Sequence, residues 1–537
     1  MAVPPSYPWH AFDYRKKHYL VDGGSGAVHV LDEAAAASWE YLSAAAGGSA
    51  TPDTPSLASS VPGDLVARFG PQLAAEAWQE VVSLVLARGR GAHADKADAN
   101  ATAAASTTTM AATATMPAVT GSVDSLTRST PVTSGGLAEP IRIGTPLKAL
   151  CLLVAMDCNL ACRYCFAAPD WQRHGARRMP AETARRAIDF LIEASGPSRF
   201  LQIDFFGGEP SLNFAVVRNA TEYAYEQCQK RGKAVNFTFT TNALIWNDEI
   251  ADLLNEYHFQ LILSLDGRPQ VHDRLRRRVG DQPSQAQVLE HVHQAVEALK
   301  DKNYWIRGTF THCNLDFAND VQYLYEQGFR HISLEPVVDG PQYPWSLRDE
   351  DLPQILAEYE RLADFYLRQA EKGDPFEFFH FRIAPPTGPC VARRISGCGA
   401  GYQYLAVTPE GDLYPCHQFV GREGMRMGSI FDPDAAQRFG PRSPSTAGGC
   451  SGTGASTVSN ANPLAERFRR THALAKAECR QCWAKLYCGG GCTANAHQLT
   501  GGDLQATLPF FCALQKKRTE LAIALRAELQ SRMHTSA

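Results

Sequence analysis

Three closely spaced cysteines follow an apolar run of the chain, and they limit strongly what this region can form. Cys158, Cys162 and Cys165 make a C-x3-C-x2-C array. Three thiols at this spacing suit three irons of a [4Fe–4S] cluster and leave the fourth iron open to a small molecule. Structural zinc is the alternative, but zinc needs a fourth nearby ligand. The nearest candidate, His174, lies nine residues beyond Cys165 in a polar segment.

Composition indicates an intracellular enzyme rather than a secreted or membrane protein. The chain has 537 residues, of which 45% are hydrophobic and 20% charged, enough for about three domains. A net charge of −4 gives no bulk attraction to nucleic acid or to a membrane. Without a signal-peptide pattern or a long apolar run, fifteen cysteines favour metal or redox chemistry over disulfides. We therefore expect a cytoplasmic location, with neither nucleic acid nor membrane as a partner.

Two low-complexity segments divide the chain. Residues 93–138 are rich in alanine, threonine and serine and predict a disordered linker. A second such segment at 441–462 contains Cys450, which we interpret as a bystander. The predicted units are a small N-terminal module (1–92), the linker (93–138), a catalytic body (139–375) and a C-terminal domain (376–530) interrupted at 441–462.

The catalytic body alternates between strand-like and helix-like segments. The predicted strands are Leu147–Met156, Phe200–Phe206, Val235–Thr240, Gln260–Leu265, Trp305–Thr311 and His331–Val337. The predicted helices between them are Ala181–Ala194, Phe214–Lys230, Asp248–Tyr257, Gln285–Leu299 and Asp316–Gln327. Helical crossovers between strands indicate a parallel sheet. We therefore predict an α/β fold, a partial (β/α)6 TIM-like barrel with its chemistry at the carboxyl ends of the strands.

Polar residues follow several of these strands. Gly207 and Gly208 allow the backbone to approach a ligand closely, and Glu209 can accept hydrogen bonds from an ammonium group. Ser264 and Asp266 end the fourth strand, where they can meet ribose hydroxyls or serve only in a turn. In the fifth strand Arg307 can pair with a carboxylate or lie at the surface.

The cysteine array and the Gly207–Pro210 segment resemble the motifs of radical S-adenosylmethionine (SAM) enzymes. The resemblance implies SAM as a cofactor beside the first cluster. It also implies that Gly207, Gly208 and Glu209 bind the amino end of the SAM methionine and that Tyr164 lies against the adenine. Arg307 and Ser264 are expected to contact SAM as well.

Seven further cysteines near the C-terminus resemble the SPASM domain of peptide-modifying radical SAM enzymes. That resemblance implies two auxiliary [4Fe–4S] clusters, and so three in all. One would be held by Cys479, Cys482, Cys488 and Cys512. The other would be held by Cys398, Cys416 and Cys492. A zinc ribbon would explain only the C-x2-C pair and leave five cysteines without a role.

The first auxiliary site has one ligand fewer than in some relatives. Sulfatase maturases supply an eighth cysteine at the position of Tyr404, so this cluster would keep an open iron unless Cys390 reaches it. An open iron can bind a substrate thiolate. We hypothesise that a peptide cysteine binds there while a deoxyadenosyl radical removes hydrogen from another residue's carbon. His417, next to Cys416, is a candidate catalytic base or a hydrogen-bonding neighbour of the cluster.

Several runs are similar to the maturases of the six-cysteines-in-forty-five-residues (SCIFF) peptides. They are Asp204–Pro210, Arg307–Thr311, Phe379–Phe381, Gly388–Ala392, Tyr404–Pro409 and Asp412–Val420. This resemblance implies thioether formation between peptide cysteines and acceptor-residue carbons. The implied partners are a Cys-rich precursor peptide, bound through its leader, and an electron donor of the flavodoxin or ferredoxin type.

The sequence of the N-terminal module predicts two strands, Phe12–Val21 and Gly23–Leu31. Two helices, Asp32–Ala46 and Pro71–Ala87, are predicted to follow them. Peptide-recognition modules of such maturases are winged-helix-like, with three strands. A sheet edge can bind a leader peptide by strand addition, and the linker would raise the local concentration of the core peptide. A plain capping domain is the alternative.

Other functions remain open at this stage. A non-catalytic iron–sulfur carrier would not need Glu209, Ser264 and Arg307 around an open iron. A peptide-binding chaperone with a decayed barrel would be expected to lose cluster ligands first. Formylglycine formation, or another peptide oxidation, is the alternative within the same enzyme class.

Overall fold

The computed structural model describes residues 9–45, 60–90, 146–167, 175–383, 391–440 and 462–535. The expected linker 93–138, His174, Cys390 and Cys450 lie outside these ranges. The second low-complexity segment, 441–462, also lies outside the described ranges, except for its last residue, Asn462. That side chain is buried and accepts hydrogen bonds from the first turn of the following helix.

A three-stranded antiparallel sheet opens the chain, with order β1-β2-β3. Its strands are β1 (Trp9–Tyr14), β2 (Lys17–Asp22) and β3 (Ala27–Leu31). The prediction of one strand over Phe12–Val21 is wrong, because Arg15 and Lys16 form a tight turn with φ of 48° and 62°. Two successive left-handed residues produce a type I′ hairpin, which usually uses asparagine or glycine. The turn therefore had no composition signal.

Three helices complete the N-terminal module. They are α1 (Glu33–Ala45), α2 (Gly63–Phe69) and α3 (Pro71–Arg90). Their apolar faces, with Trp39, Trp78 and Val81, pack on Leu20 and Leu31 from one face of the small sheet. The opposite face of the same sheet, with Tyr19, Val21 and Val28, is also buried. The module thus has its own core and a second apolar surface that packs elsewhere on the protein.

The body is built on a nine-stranded sheet of order β10-β9-β8-β7-β6-β5-β4-β11-β12. The six predicted strands are confirmed as β4 (Ala149–Ala155), β5 (Phe200–Gly207), β6 (Ala234–Thr241), β7 (Gln260–Ser264), β8 (Tyr304–Phe310) and β9 (His331–Pro336). The remaining strands are β10 (Glu377–Phe378), β11 (Tyr404–Val407) and β12 (Leu413–Tyr414). All neighbours are parallel except β11 and β12.

Helices connect the parallel strands, as expected for this topology. Those of the body are α4 (Ala181–Ala194), α5 (Phe214–Lys230), α6 (Asp248–Glu256), α7 (Pro269–Leu275), α8 (Gln285–Ala298), α9 (Ala318–Glu326) and α10 (Leu352–Glu371). Strand β4 is buried along its whole length, which is typical of a strand covered on both faces. The phenylalanines Phe205, Phe237 and Phe259 stack on one another in the core. The α/β barrel prediction is therefore confirmed.

The C-terminal part contains short helices and one long one. They are α11 (Val391–Ser396), α12 (Ala435–Phe439), α13 (Pro463–Arg469), α14 (Ala477–Arg480), α15 (Lys485–Cys488), α16 (Thr493–Leu499) and α17 (Pro509–Thr535). Helix α17 packs along α10 and also meets the N-terminal module. His10 Nε2 lies 2.7 Å from Glu520 Oε1, and Lys17 Nζ lies 2.9 Å from Glu528 Oε1. Within the described ranges, no helix is long and apolar enough to cross a membrane.

Replacement of Phe239 should test how much its packing in this core stabilises the fold. Phe239 is fully buried in β6. Phe239→Ala should lower the free energy of unfolding by about 3–5 kcal/mol, because it removes a buried ring and leaves a cavity. Phe200→Ala, at an exposed position of the neighbouring strand, is the matched control and should change it by about 0.5 kcal/mol or less. Denaturant midpoints would measure both, and equal shifts would contradict the placement of Phe239 in the core.

Candidate functional site

The carboxyl ends of β4 to β9 surround a cavity of about 980 Å³. Most of the predicted site residues line it. They are Cys158, Cys162, Tyr164, Cys165, Gly207, Gly208, Glu209, Ser264, Arg307, His417 and Cys492. Asp266 and the remaining predicted cysteine ligands do not line this cavity. Chain topology therefore brings together residues that are more than 300 positions apart.

The cysteine triad lies in a loop that is tied to the barrel by its backbone. Ala161 N–H donates to the Arg277 carbonyl at 2.7 Å, and Arg163 N–H donates to the Leu275 carbonyl at 2.8 Å. Burial, the Glu209 carboxylate and the thiols of Cys162 and Cys165 together raise the pKa of Cys158 to about 12. The three thiols are therefore close enough to interact electrostatically. A positively charged iron centre would remove the energetic cost of ionising them together.

The Gly207-Gly208 pair lets β5 end close against the triad loop. Gly207 has φ of 136°, and a Cβ atom there would overlap the Ala155 carbonyl oxygen. A Cβ on Gly208 would overlap the Asp157 carbonyl oxygen and lie 3.2 Å from the Cβ of Cys158. The glycines therefore set the spacing between the second strand end and the first cysteine.

Glu209 is fully buried, yet its carboxylate accepts several hydrogen bonds from the protein. It accepts hydrogen bonds from Ser211 N–H at 3.0 Å, from the Thr241 hydroxyl at 2.8 Å and from Asn242 N–H at 2.7 Å. Burial raises the pKa of Glu209, and these donors lower it. The carboxylate joins the ends of β5 and β6 and also reaches the cavity wall.

Asp266 has a supporting place behind the cavity wall. Its carboxylate accepts hydrogen bonds from the Tyr164 hydroxyl at 2.6 Å, from Arg276 Nε at 3.1 Å and from Thr309 N–H at 3.0 Å. The Arg276 guanidinium also lies over the Tyr164 ring. Of the two options left open by the sequence, this geometry favours an internal role. Asp266 fixes Tyr164, and with it the triad loop.

Ser264 and Arg307 are paired across β7 and β8 and face the cavity. Arg307 is exposed to it, and no described carboxylate lies within salt-bridge distance of its guanidinium. This arrangement can receive an anionic group of a ligand.

His417 lies in the cavity wall, where its ring is 5.6 Å from that of Phe166, the residue after Cys165. Burial and the Arg307 guanidinium lower its pKa to about 4, so the imidazole is neutral near pH 7. The Tyr404 hydroxyl is 3.3 Å from its Nδ1 atom, and Phe206 packs 4.7 Å from its ring. A neutral imidazole in this place can accept a proton, and it can also serve only as a hydrogen-bonding wall.

Sequence reasoning missed Asn242, which lies just past β6. Its side-chain amide donates to the Asn159 side chain at 2.8 Å and lies 3.5 Å from the Cys158 sulfur. It therefore supports the first cysteine directly. Its position after a predicted strand was the one signal that could have identified it.

A chain of buried polar groups ends at Glu335, which also lines the cavity and was not predicted. Arg518 donates to the Tyr359 hydroxyl oxygen at 2.6 Å, and that hydroxyl lies 3.0 Å from His380 Nδ1. His380 Nε2 in turn lies 3.0 Å from Glu335 Oε1. Although burial opposes ionisation, His380 and the two arginines Arg518 and Arg307 keep the pKa of Glu335 below its usual value. His380 belongs to the Phe379–Phe381 run singled out in the sequence.

The other cysteines fall into two separate groups. Cys398 and Cys492 both raise the pKa of Cys416, after burial, so these three thiols lie together. The second group is formed in the same way by Cys479, Cys482, Cys488 and Cys512. In the described part of the chain, no three metal-binding side chains converge on one ion. Grouped thiolates are the ligands that an iron–sulfur cluster uses, with each thiolate bound to a different iron.

Comparisons with known proteins agree with this geometry. Residues 144–290 match the family model of a 4Fe-4S single cluster domain, which includes the triad. An uncharacterized protein of Methanocaldococcus jannaschii, MJ0907, is 30% identical over 195 residues, which cover 35% of this chain and 62% of that protein. The radical SAM cyclopropyl synthase TigE of Paramaledivibacter caminithermalis is 26% identical over 305 residues, which cover 53% of this chain and 60% of that protein. The chain thus spans about three fifths of the length of both.

A cysteine-type anaerobic sulfatase-maturating enzyme of Clostridium perfringens matches over a larger share. It is 24% identical over 394 residues, which cover 70% of this chain and 96% of that enzyme. Among solved structures, native anSMEcpe with bound AdoMet and Cp18Cys peptide has a TM-score of 0.55 at 18% identity, covering 72% of this chain and 99% of that one. The fold is therefore that of radical SAM enzymes. In sequence, the chain is similar to enzymes of the radical SAM maturase type.

Gly208→Ala should displace the triad loop. The added methyl group overlaps backbone at Asp157, so iron bound per chain after reconstitution should fall, as should the absorbance of the first cluster. Gly63→Ala, where nothing lies within 4 Å of the new Cβ, is the matched control and should load iron normally. Normal loading of both variants would contradict the close approach of β5 to the loop.

The buried His272 predicts a loss of stability in mild acid. Burial lowers its pKa to about 4 from 6.5, so the unfolded chain takes up a proton that the folded chain does not. Stability should therefore fall as pH decreases from about 6.5 to about 4, by up to on the order of 3 kcal/mol. Urea midpoints at pH 7 and 5 would measure this. His272→Asn, which keeps an acceptor for Asp266 N–H, should show a smaller pH difference, and an unchanged difference would contradict the assignment.

Proposed function

We propose that the protein is a radical SAM peptide maturase that forms thioether cross-links in a Cys-rich precursor peptide. The observation that carries the proposal is that the triad and Cys492 line the same cavity. A SAM molecule and a peptide thiol can therefore occupy one shared space. Three [4Fe–4S] clusters, one at the triad and one at each of the other cysteine groups, complete the proposal.

The proposed reaction balances in atoms and electrons. SAM bound beside the triad would supply a deoxyadenosyl radical, because one-electron reduction would break its S–C5′ bond and release methionine. Transfer of a hydrogen atom from a peptide carbon would then give 5′-deoxyadenosine and a carbon radical. Bond formation between that carbon and a cysteine sulfur would release the thiol proton and one electron. A cluster at an auxiliary site would supply the acceptor for that electron.

Residues of this chain would orient the reactants. Arg307 and Ser264 face the cavity together and suit the SAM carboxylate. Glu209 suits the SAM ammonium, although it already accepts three protein hydrogen bonds. The other side of the cavity, with Val337, Val338 and Trp345, is more apolar and suits the peptide. Because these groups come from rigid strand ends, the reacting atoms would be held at short range.

Thioether formation is favoured over formylglycine formation by two residues. Tyr404 stands where the resemblance implies an eighth cysteine, and its hydroxyl lies 3.3 Å from His417 Nδ1. Among the described residues, the first auxiliary group therefore has three thiols, which leaves an iron for a peptide thiolate. His417 stands in the place of the aspartate of sulfatase maturases, and this replacement also weighs against formylglycine formation.

The partners follow from the same proposal. A leader segment of the precursor would bind the N-terminal module, which has the three strands expected of a peptide-recognition element. A flavodoxin- or ferredoxin-type protein would supply the electron. The cytoplasm is the proposed location, since such clusters need a reducing environment.

Mass spectrometry of a Cys-rich peptide encoded next to the gene tests the proposal. After anaerobic incubation with reconstituted enzyme, SAM and reductant, the peptide should lose two hydrogens per link. The cysteines concerned should resist alkylation even after reduction. Regained thiols would show a disulfide, and 5′-deoxyadenosine without peptide change would contradict the choice of substrate.

Cys158→Ala should abolish 5′-deoxyadenosine formation, because it removes one of three ligands of the SAM-binding cluster. Cys228→Ala is the matched control, since that thiol is buried in α5, away from the cavity. Chromatographic assay of 5′-deoxyadenosine with and without peptide would measure both. Activity in the Cys158 variant would refute the assignment of the triad.

A further inference from the structure

The loop between Cys482 and Cys488 is covered by the N-terminal module. Several residues between these two cysteines lie close to it. The Trp483 ring stacks on His10 at 4.1 Å with an angle of 3° between the ring planes. Lys485 is close enough to Asp22 for the carboxylate to raise its pKa, although burial lowers that pKa overall. The Tyr487 hydroxyl donates to the Gly26 carbonyl at 2.6 Å.

The module meets this loop with the tip of its β2–β3 hairpin and with the second face of its sheet. Asp22 is fully buried and accepts hydrogen bonds from Gly24 N–H at 2.8 Å and from the Ser25 hydroxyl at 2.5 Å, so the tip is rigid. Gly26 has φ of 76°, and a Cβ there would lie 2.9 Å from an Arg394 nitrogen. The hairpin tip therefore packs closely against Arg394 and the Tyr487 hydroxyl.

Apolar packing extends this contact up to the thiol of Cys482. Tyr19, Val21 and Val28 of the module form one buried cluster with Trp483, Ala484, Ile523 and Ala524, and Cys482 packs against it. Trp483 is only 7% exposed. Without the module, the indole and the cysteine beside it would face water.

We propose that the N-terminal module forms the outer wall of the second auxiliary site and keeps the reduction potential of the cluster there low. The inference rests on the proposed function, which assigns that cluster to Cys479, Cys482, Cys488 and Cys512. A four-thiolate cluster becomes more negative when it is reduced. Water stabilises the more highly charged form, so exclusion of water lowers the potential.

The proposal gives the module a regulatory role besides peptide recognition. A peptide that shifts the hairpin tip away from Trp483 and Tyr487 would admit water and make the cluster a better electron acceptor. Occupancy of the module and electron transfer at the second site would then be coupled through this wall.

The test is a redox titration, followed by electron paramagnetic resonance, of the reconstituted full-length chain. Cys158, Cys162 and Cys165 are replaced by alanine so that the two auxiliary signals remain, and a Cys416→Ser variant assigns the signal of the first site. Trp483→Ala should shift the second-site potential upward. Tyr487→Phe, which loses only the bond to Gly26, should shift it less in the same direction and covers the case that the tryptophan variant does not fold.

Tyr41→Phe, on the far side of the module against Trp78, is the control and should leave the potential unchanged. A chelator should also remove iron from the second site faster in Trp483→Ala than in the control. An unchanged second-site potential would overturn the proposal, and so would equal shifts at both sites. Failure of the second cysteine group to assemble a cluster in the wild-type chain would refute the cluster assignment itself, and the inference with it.

Discussion

The carboxylate of Asp266 is the interaction on which the site depends most. It is buried at the end of β7 and holds Tyr164, Arg276 and the backbone of β8 at once. Tyr164 belongs to the cysteine loop, so one charge connects that loop to the sheet. Loss of this charge would leave Arg276 buried without its partner, which is costly in a low-dielectric interior. The geometry of the triad is therefore a property of the barrel core as much as of the loop.

Much of the fold was predictable because its physical causes are local. The six barrel strands are apolar runs separated by helical segments, and Ala181–Ala194 and Phe214–Lys230 were located to the residue. Site residues at strand ends, such as Gly207 and Ser264, could be placed at one edge of the sheet by topology alone. Cysteine spacing then identified the loop that faces them.

What the sequence did not reveal depends on contacts between distant segments. The Arg15-Lys16 turn lacks the usual turn residues. Its conformation is imposed by the pairing of β1 with β2, which no local pattern predicts. Whether Asp266 met a ligand or the protein was decided by Arg276 and Thr309, which no local pattern connects to it. The polar chain that ends at Glu335 could not be recognised from the sequence, because it depends on helix α17. That helix places Arg518 against Tyr359, 159 residues away in sequence.

The place of the C-terminal strands affects how the chain can fold as it is synthesised. β10 covers one edge of the barrel sheet, while β11 covers the edge at β4. Tyr404 of β11 pairs with Ala149 of β4. The backbone groups at this edge therefore remain unpaired until a strand 255 residues further along the chain has been synthesised. An apolar strand with unpaired backbone groups invites association with other chains. During synthesis the β4 edge therefore stays open after the barrel strands have emerged, and chains truncated before β11 should aggregate rather than fold.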